Sequence, residues 1–245
     1  MRESRPTGPA PQEQEQRSLR PAGISVVIPT LDEQAGIAAC LAAVGSPTGV
    51  EVIVADGGSR DATISAARRA GAKVIHAPRG RARQMNAGAA TAQGDVLLFL
   101  HADTLLPPAW EGEVRRILAR PRTAAGAFTF RLDRRGAGLR FIELSVAWRC
   151  RLAAMPYGDQ ALFVRREDFL AAGGYPDLPI MEDCELVRLL KKRGSIIVSP
   201  AVATTSARRW QRKGLVATTL FNSLVVVAFY LGYPPALLRR LYDRI

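Results

Sequence analysis

ISVVIPTLDE, residues 24–33, is the stretch from which the fold can be read. Ile24, Val26, Val27 and Ile28 make a β-branched run that Pro29 ends, the pattern of a strand buried on both faces of a parallel sheet. A helix is expected next, with Ile37, Leu41 and Val44 on its apolar face and Thr30 and Glu33 at capping-box spacing, until Gly45, Ser46 and Pro47 stop it. The unit then recurs. Residues 50–55 read as a second strand, 56–59 as a glycine-bearing turn, 61–70 as a helix closed by Gly71, and 73–76 as a third strand. After a Gly/Arg-rich turn, residues 81–92 read as a helix and 95–100 as an apolar strand that runs into His101-Ala102-Asp103. Strand and helix alternating at this spacing predict an α/β fold with a Rossmann-like, mostly parallel sheet.

Beyond Ala125 the pattern changes. Short strands are expected over residues 126–132 and 161–164, with an amphipathic stretch around residues 141–152, so the second half is mixed. Residues 182–193 predict a helix with carboxylates in its first turn, Lys191, Lys192 and Arg193 in its last, and Gly194 just past it. Residues 215–233 carry no charge and are flanked by a basic cluster before and by Arg239, Arg240 and Arg244 after. The expected organisation is a disordered tail over residues 1–22, one domain over 23–207, and a basic then apolar helical segment over 208–245.

Composition narrows the function. Of 245 residues, 34 are Lys or Arg and 22 Asp or Glu, and the net charge of +12 favours phosphate-bearing partners. The basic residues are scattered, without an aromatic-interleaved cluster, so nucleic acid is not expected as a partner. Cys40, Cys150 and Cys184 are widely separated and contain no CxxC pair, which fits a reducing cytoplasm and excludes a disulfide framework. The first 22 residues lack the apolar core of a signal peptide.

Four groups of residues can carry chemistry. In an open α/β sheet ligands lie outside the carboxyl ends of the strands, which selects residues 29–33 and 56–59. There Asp56 can accept a hydrogen bond from a base N–H, and Gly57 and Gly58 let the backbone approach a ligand; a capping carboxylate in a tight turn is the alternative. Arg79, Arg81, Arg83 and Asn86, around Gly80 and Gly88, can meet a diphosphate or form a solvated basic helix end. His101 and Asp103 follow a buried strand, so Asp103, helped by His101, can hold Mg²⁺ or Mn²⁺ against a diphosphate, or simply start a loop. Glu182 and Asp183 open a helix, where they can supply a general base or only complement the dipole. Asp159 and Gln160 sit in a polar loop and can contact an acceptor or stabilise a turn.

Taken in order, VVIPTLDE, VADGGSRD, LLFLHAD, GDQALFVRR and MEDCEL resemble a family 2 glycosyltransferase with the GT-A fold, over residues 24–209. The resemblance implies that Pro29, Thr30, Glu33 and Asp56 face a nucleoside, Asp103 a metal and diphosphate, and that Asp183 is the catalytic base. Arg83 and Asn86 match the diphosphate and sugar side more loosely. The run of Thr205, Ser206, Arg208, Arg209 and Trp210 is similar to small bacterial single-domain members, with Arg209 and Trp210 on the acceptor or sugar side. Two positions depart from the family pattern: His101 replaces the first acid of DxD, and no His follows Asp183.

The activity so implied is inverting transfer from a nucleotide-diphosphate sugar, a UDP-sugar first, to a hydroxyl or carboxyl of an amphiphilic or cell-envelope acceptor such as a lipid or glycan. A cytoplasmic protein lying against the anionic inner face of the plasma membrane would suit the symmetric basic flanks of residues 215–233, read as an interfacial or core-packed helix. Two other classes remain open. One is a non-catalytic basic module that binds nucleotide or membrane; the other is a sugar nucleotidyltransferase, which should carry a Gly-rich, Arg-containing loop where PTLDEQ stands.

Overall fold

The computed structural model describes residues 23–208 and 215–243. The anticipated tail, and with it Arg209 and Trp210, lies outside the described residues. Strand β1 (Ile24–Thr30) leads to helix α1 (Ile37–Val44), β2 (Val50–Asp56), α2 (Thr63–Arg69), β3 (Lys73–His76), α3 (Arg81–Thr91) and β4 (Val96–Phe99). The second half contains β5 (Thr104–Leu105), α4 (Trp110–Leu118), β6 (Thr123–Leu132), α5 (Ala137–Ala153), a 3₁₀ turn (Gly158–Gln160), β7 (Phe163–Arg165), α6 (Arg166–Ala171), α7 (Glu182–Lys191) and β8 (Ser195–Thr205). Helices α8 (Leu215–Tyr230) and α9 (Pro235–Asp243) close the described chain.

One sheet runs in the order β3-β2-β1-β4-β7-β6-β8-β5. The pairs β3–β2, β2–β1 and β1–β4 are parallel, β4–β7 and β7–β6 antiparallel, β6–β8 parallel and β8–β5 antiparallel. The period of two along each strand divides the core into two layers. Val26, Ile28, Val96 and Leu98 pack with Ile37, Leu41, Trp110, Val114 and Ile117 on one face, while Val27, Leu97 and Phe99 pack with Ala82, Met85, Phe169, Leu186 and Leu190 on the other. A fully buried Ile, Leu or Phe at these positions contributes about 1.5–3 kcal/mol. Helix α3 approaches β1 closely because Gly88 has no side chain: a methyl there would lie 2.3 Å from Val27 Cγ1.

Three expectations are corrected. The capping box of Thr30 and Glu33 does not form, since α1 starts at Ile37, seven residues after the end of β1, behind an N-cap Gly36 that has no side-chain cap, and the Thr30 hydroxyl turns to Asp56 instead. Sequence reading finds no strand after residue 194, yet β8 is 11 residues long. Its signal is broken by Pro200, which falls in a bulge: Ser199 pairs with Phe128 and Val202 with Thr129, and the Ala201 amide donates to Ser199 Oγ. The expected strand at 161–164 is also shorter, being preceded by the 3₁₀ turn.

Among the described residues no helix is long and apolar enough to cross a membrane. Val225 of α8 and Leu238 of α9 are instead buried against Ile180, Met181 and Cys184.

Candidate active site

Strand β1 is flanked by β2 on one side and β4 on the other, and the chain reaches these neighbours by crossovers in opposite directions. A crevice therefore opens at the carboxyl ends of β1 and β4. At its β1–β2 side Thr30 and Asp56 stand in register, and the Thr30 hydroxyl donates to Asp56 Oδ1 at 3.2 Å. Asp56 is fully buried. Its Oδ2 accepts the amides of Gly58 at 2.8 Å and Ser59 at 2.9 Å, and its Oδ1 also accepts the Ser59 hydroxyl. Burial opposes its charge, but these donors outweigh burial and hold the carboxyl below its ordinary range. Asp56 thus shapes the turn after β2 rather than presenting a free carboxylate.

The loops after β1 and β2 are bound to each other. The Asp32 amide donates to Ser59 Oγ, the Arg60 amide to Asp32 Oδ1, the Glu33 amide to Thr63 Oγ1 and the Gln34 amide to Asp61 Oδ2. Beneath them Gln84 of α3 donates to the carbonyls of Thr30 and Ala55 at 2.7 and 2.8 Å. Gly57 approaches this amide closely, since a methyl on it would lie 3.0 Å from the Gln84 side chain. Pro29, at the end of β1, is half-buried.

Strand β4 delivers His101 and Asp103 to the centre of the crevice. The turn is fixed from the far end of β8: Thr104 and Thr205 share a hydroxyl hydrogen bond of 2.8 Å, and the Ser206 amide donates to the Asp103 carbonyl. Thr205 Oγ1 also donates to the Asp159 carbonyl at 3.1 Å, so one threonine positions both acidic loops. Arg208 bridges two carboxylates, at 3.5 Å from Glu33 and 3.9 Å from Asp103. Burial lifts the Asp103 carboxyl above its ordinary range, with Arg208 pulling the other way.

Helix α7 brings Asp183 to the same place. The backbone before it is strained, with Met181 at φ 69°. Asp183 Oδ2 accepts the Gly158 amide at 2.8 Å and Oδ1 the Cys184 amide at 2.8 Å. Burial works against its charge, but Arg81 and these amides hold the carboxyl below the usual range, so it is ionised at neutral pH. His101 is pushed down to about 3 by burial and by Arg81, and is therefore neutral. Burial raises Asp159 to about 6, and its Oδ1 is buried without a hydrogen-bond partner.

These groups line a cavity of 430 Å³. Arg81, His101, Asp103, Asp159 and Asp183 form its polar floor, and Ile142, Val146, Ile180, Val225, Val226 and Tyr242, from α5, α8, α9 and the loop before α7, form apolar walls. Among the described residues no three His, Cys, Asp or Glu side chains are arranged to enclose an ion. The donor set is carboxylate oxygen at Asp103, with Glu33 near it, which fits a hard cation that completes its shell with phosphate oxygens.

Several residues singled out from sequence are elsewhere. Arg83 makes a bidentate ion pair with Asp177 on the surface, at 2.8–3.0 Å, away from the cavity. Asn86 spends both ends of its amide on the Tyr175 backbone, at 2.7 and 2.9 Å. Gln160 is buried and donates to the Phe128 carbonyl while accepting the Tyr157 amide, so it holds the loop and does not face an acceptor. Glu182 is buried against Arg81, which removes it as a base. Arg81 and Gln84 of α3 both reach the site, though residue patterns name the first only within a basic group and the second not at all; Gly158 is not singled out either, and Arg208 enters only with the run over 205–210. For the first two a signal exists: Arg81, Gln84 and Gly88 recur at i, i+3 and i+7, the face of α3 turned to the sheet, and Arg83 is off that face.

Residues 25–155 match the family model described as glycosyl transferase family 2. The chain belongs to this family. Uncharacterized glycosyltransferases of Mycobacterium bovis and Mycobacterium tuberculosis are each 31% identical to it over 169 residues, covering 62% of this chain and 75% of the relative. Solved structures agree on the fold of this family 2 glycosyltransferase. A Pyrobaculum calidifontis mannosyltransferase in complex with GDP-Man and Mn²⁺ superposes with a TM-score of 0.63 at 21% identity, covering 92% of this chain and 72% of the other. Glucosyl-3-phosphoglycerate synthase from Mycobacterium tuberculosis, with Mn²⁺, UDP and phosphoglyceric acid, gives 0.60 at 20% identity, covering 94% and 85%. The GT-A fold expected from the motifs is thereby shown.

Proposed function

We propose that this glycosyltransferase inverts the anomeric centre in a single displacement, moving a sugar from a nucleotide-diphosphate sugar, a UDP-sugar first, to the hydroxyl or carboxyl of an amphiphilic acceptor. One observation carries the reading: an ionised Asp183 shares a cavity with Asp103 at the crevice where β1 and β4 end. Asp183 takes the proton of the acceptor hydroxyl as its oxygen bonds to the anomeric carbon, and the bond from that carbon to the diphosphate oxygen breaks with its electron pair. A carboxylate acceptor reacts in the same way without the proton transfer.

The nucleoside lies against Pro29, Thr30 and Glu33 on the loop frame that Asp56 and Gln84 hold, and Arg81 faces the diphosphate or the sugar. Asp103 would hold Mn²⁺ or Mg²⁺, which supplies charge neutralisation at the departing diphosphate. His101, being neutral, serves as a hydrogen-bonding wall. The apolar walls of the cavity support an acceptor with an apolar part, and a peripheral position at a cytoplasmic membrane face would supply one.

The test is isothermal titration of UDP and GDP into purified protein with Mn²⁺, with EDTA, and with Asp103→Ala. Metal-dependent binding that the variant loses is expected. A folded sample that ignores UDP, GDP and dTDP alike would replace the transferase reading with the non-catalytic one.

A further inference from the structure

Helix α5 has two faces. Ile142 and Val146 are buried and look into the cavity described above. Phe141, Leu144, Trp148 and Leu152, spaced by three or four residues along the opposite side, are exposed to 66, 52, 61 and 77%. Four large apolar side chains at that exposure form one stripe on a single helix, which is unlike the scattered apolar residues of an ordinary surface. The stripe is set among arginines. Residues 131–155 contain Arg131, Arg134, Arg135, Arg140, Arg149 and Arg151 against only Asp133 and Glu143. All but Arg149 are exposed.

We propose that this stripe is a docking surface for an anionic phospholipid bilayer, with α5 lying in the interface and its arginines at the headgroups. Charge decides the occupant. A second copy of the chain seated on the stripe would bring two arginine rims together, whereas an anionic surface is attracted to them. The first 22 residues offer only Met1 and Leu19 as large apolar side chains, too few to cover four. The stripe is also continuous in function with the cavity. Because the same helix forms a cavity wall, docking would hold the acceptor site close to the lipid surface, and α8, which packs against α5, carries the further exposed apolar residues Leu224 and Val227. Bilayer docking stands without the transferase reading; only the delivery of an acceptor rests on it.

The experiment is co-sedimentation of the full chain with phosphatidylcholine vesicles and with vesicles containing phosphatidylglycerol, at low and high salt, for the wild type, for Phe141→Gln with Trp148→Gln, and for Arg134→Glu with Arg135→Glu. All four positions are exposed, so the variants should keep the wild-type circular dichroism and nucleotide affinity. The expected result is binding to anionic vesicles that salt weakens, a loss of tenfold or more in the apolar variant, and a loss of about fivefold for each arginine removed. Brominated acyl chains should quench tryptophan emission in the wild type and not in Trp148→Phe.

No binding by the wild type, or binding that the apolar variant retains, overturns the proposal. So does a dimer in light scattering that the apolar variant converts to a monomer, since the stripe would then be a self-interface. UDP binding measured in the same preparations without vesicles separates failure of docking from failure of the transferase reading.

Discussion

The amide of Gly158 donates to Asp183 Oδ2 at 2.8 Å, and the glycine lies so close to His101 that a methyl on it would be 2.8 Å from Nε2. This contact fixes Asp183, the proposed base, against the cavity floor and lets a neutral imidazole sit beside it. Gly158→Ala should therefore fold but push the 3₁₀ turn or the imidazole away. A fall in kcat of at least about tenfold is expected, in line with displacing a catalytic group. The donor keeps Asp183 acidic, so its loss raises the carboxyl pKa, and the acid limb of the pH–rate profile should move to higher pH. Unchanged kcat and an unmoved acid limb would show that Gly158 does not position Asp183.

Asp183→Asn removes the proposed base. About a hundredfold or more in kcat should disappear while UDP affinity, measured by titration calorimetry, stays within about threefold. Near-normal turnover in a folded variant would sink the base assignment.

Arg81 and Arg83 are two residues apart and should behave in opposite ways. Arg81→Met leaves the buried Glu182 carboxylate without its partner, a loss of about 1–2 kcal/mol once the cost of a broken buried pair is discounted for the 45% exposure of Arg81, or a protonated Glu182 in its place. Nucleotide affinity should fall with it. Arg83→Ala breaks only an exposed pair with Asp177 and should leave both the unfolding midpoint and nucleotide affinity unchanged. Denaturant titration and calorimetry on both variants check this contrast.

Asp159 is held at about 6 by burial, against an ordinary value of 3.8. Below about pH 4 the carboxyl is protonated in the folded and unfolded chains alike and stability is independent of it. Between about 4 and 6 the native state keeps a proton that the unfolded chain has released, so stability falls as pH rises; above about 6 the full cost stands. Asp159→Asn removes that cost. In metal-free protein it should gain up to roughly 3 kcal/mol at pH 7 and nothing at pH 4 by urea unfolding.

Gln84→Leu removes the hydrogen bonds that its amide gives to the carbonyls of Thr30 and Ala55, while the Thr30 carbonyl keeps the Gly57 amide at 2.9 Å. A loss of about 1–2 kcal/mol is expected from two lost buried hydrogen bonds, together with weaker nucleotide binding as the loops after β1 and β2 loosen. Thermal unfolding and UDP titration measure the two effects separately.

The sequence alone determined the parallel half and the chemistry-bearing motifs. Val26 and Val27 buried on opposite faces, the turn at Asp56–Ser59, and a carboxylate delivered by β4 all follow from local pattern, because strand burial and turn geometry are set by neighbouring residues. The family itself follows from five motifs in order, and Asp103 and Asp183, which those motifs contain, line one cavity. Only the tertiary structure decided which basic and amide side chains reach the cavity. Arg81 rather than Arg83 reaches the floor because of the phase of α3 on the sheet, and Asn86 and Gln160 are consumed by backbone groups distant in the chain. β8 escaped local reading because its pairing crosses a bulge at Pro200, yet through Thr205 it fixes Asp103 and Asp159. The cavity needs α5, α8 and the β4 turn in one place, and contacts between residues about a hundred positions apart leave no period or spacing in a sequence.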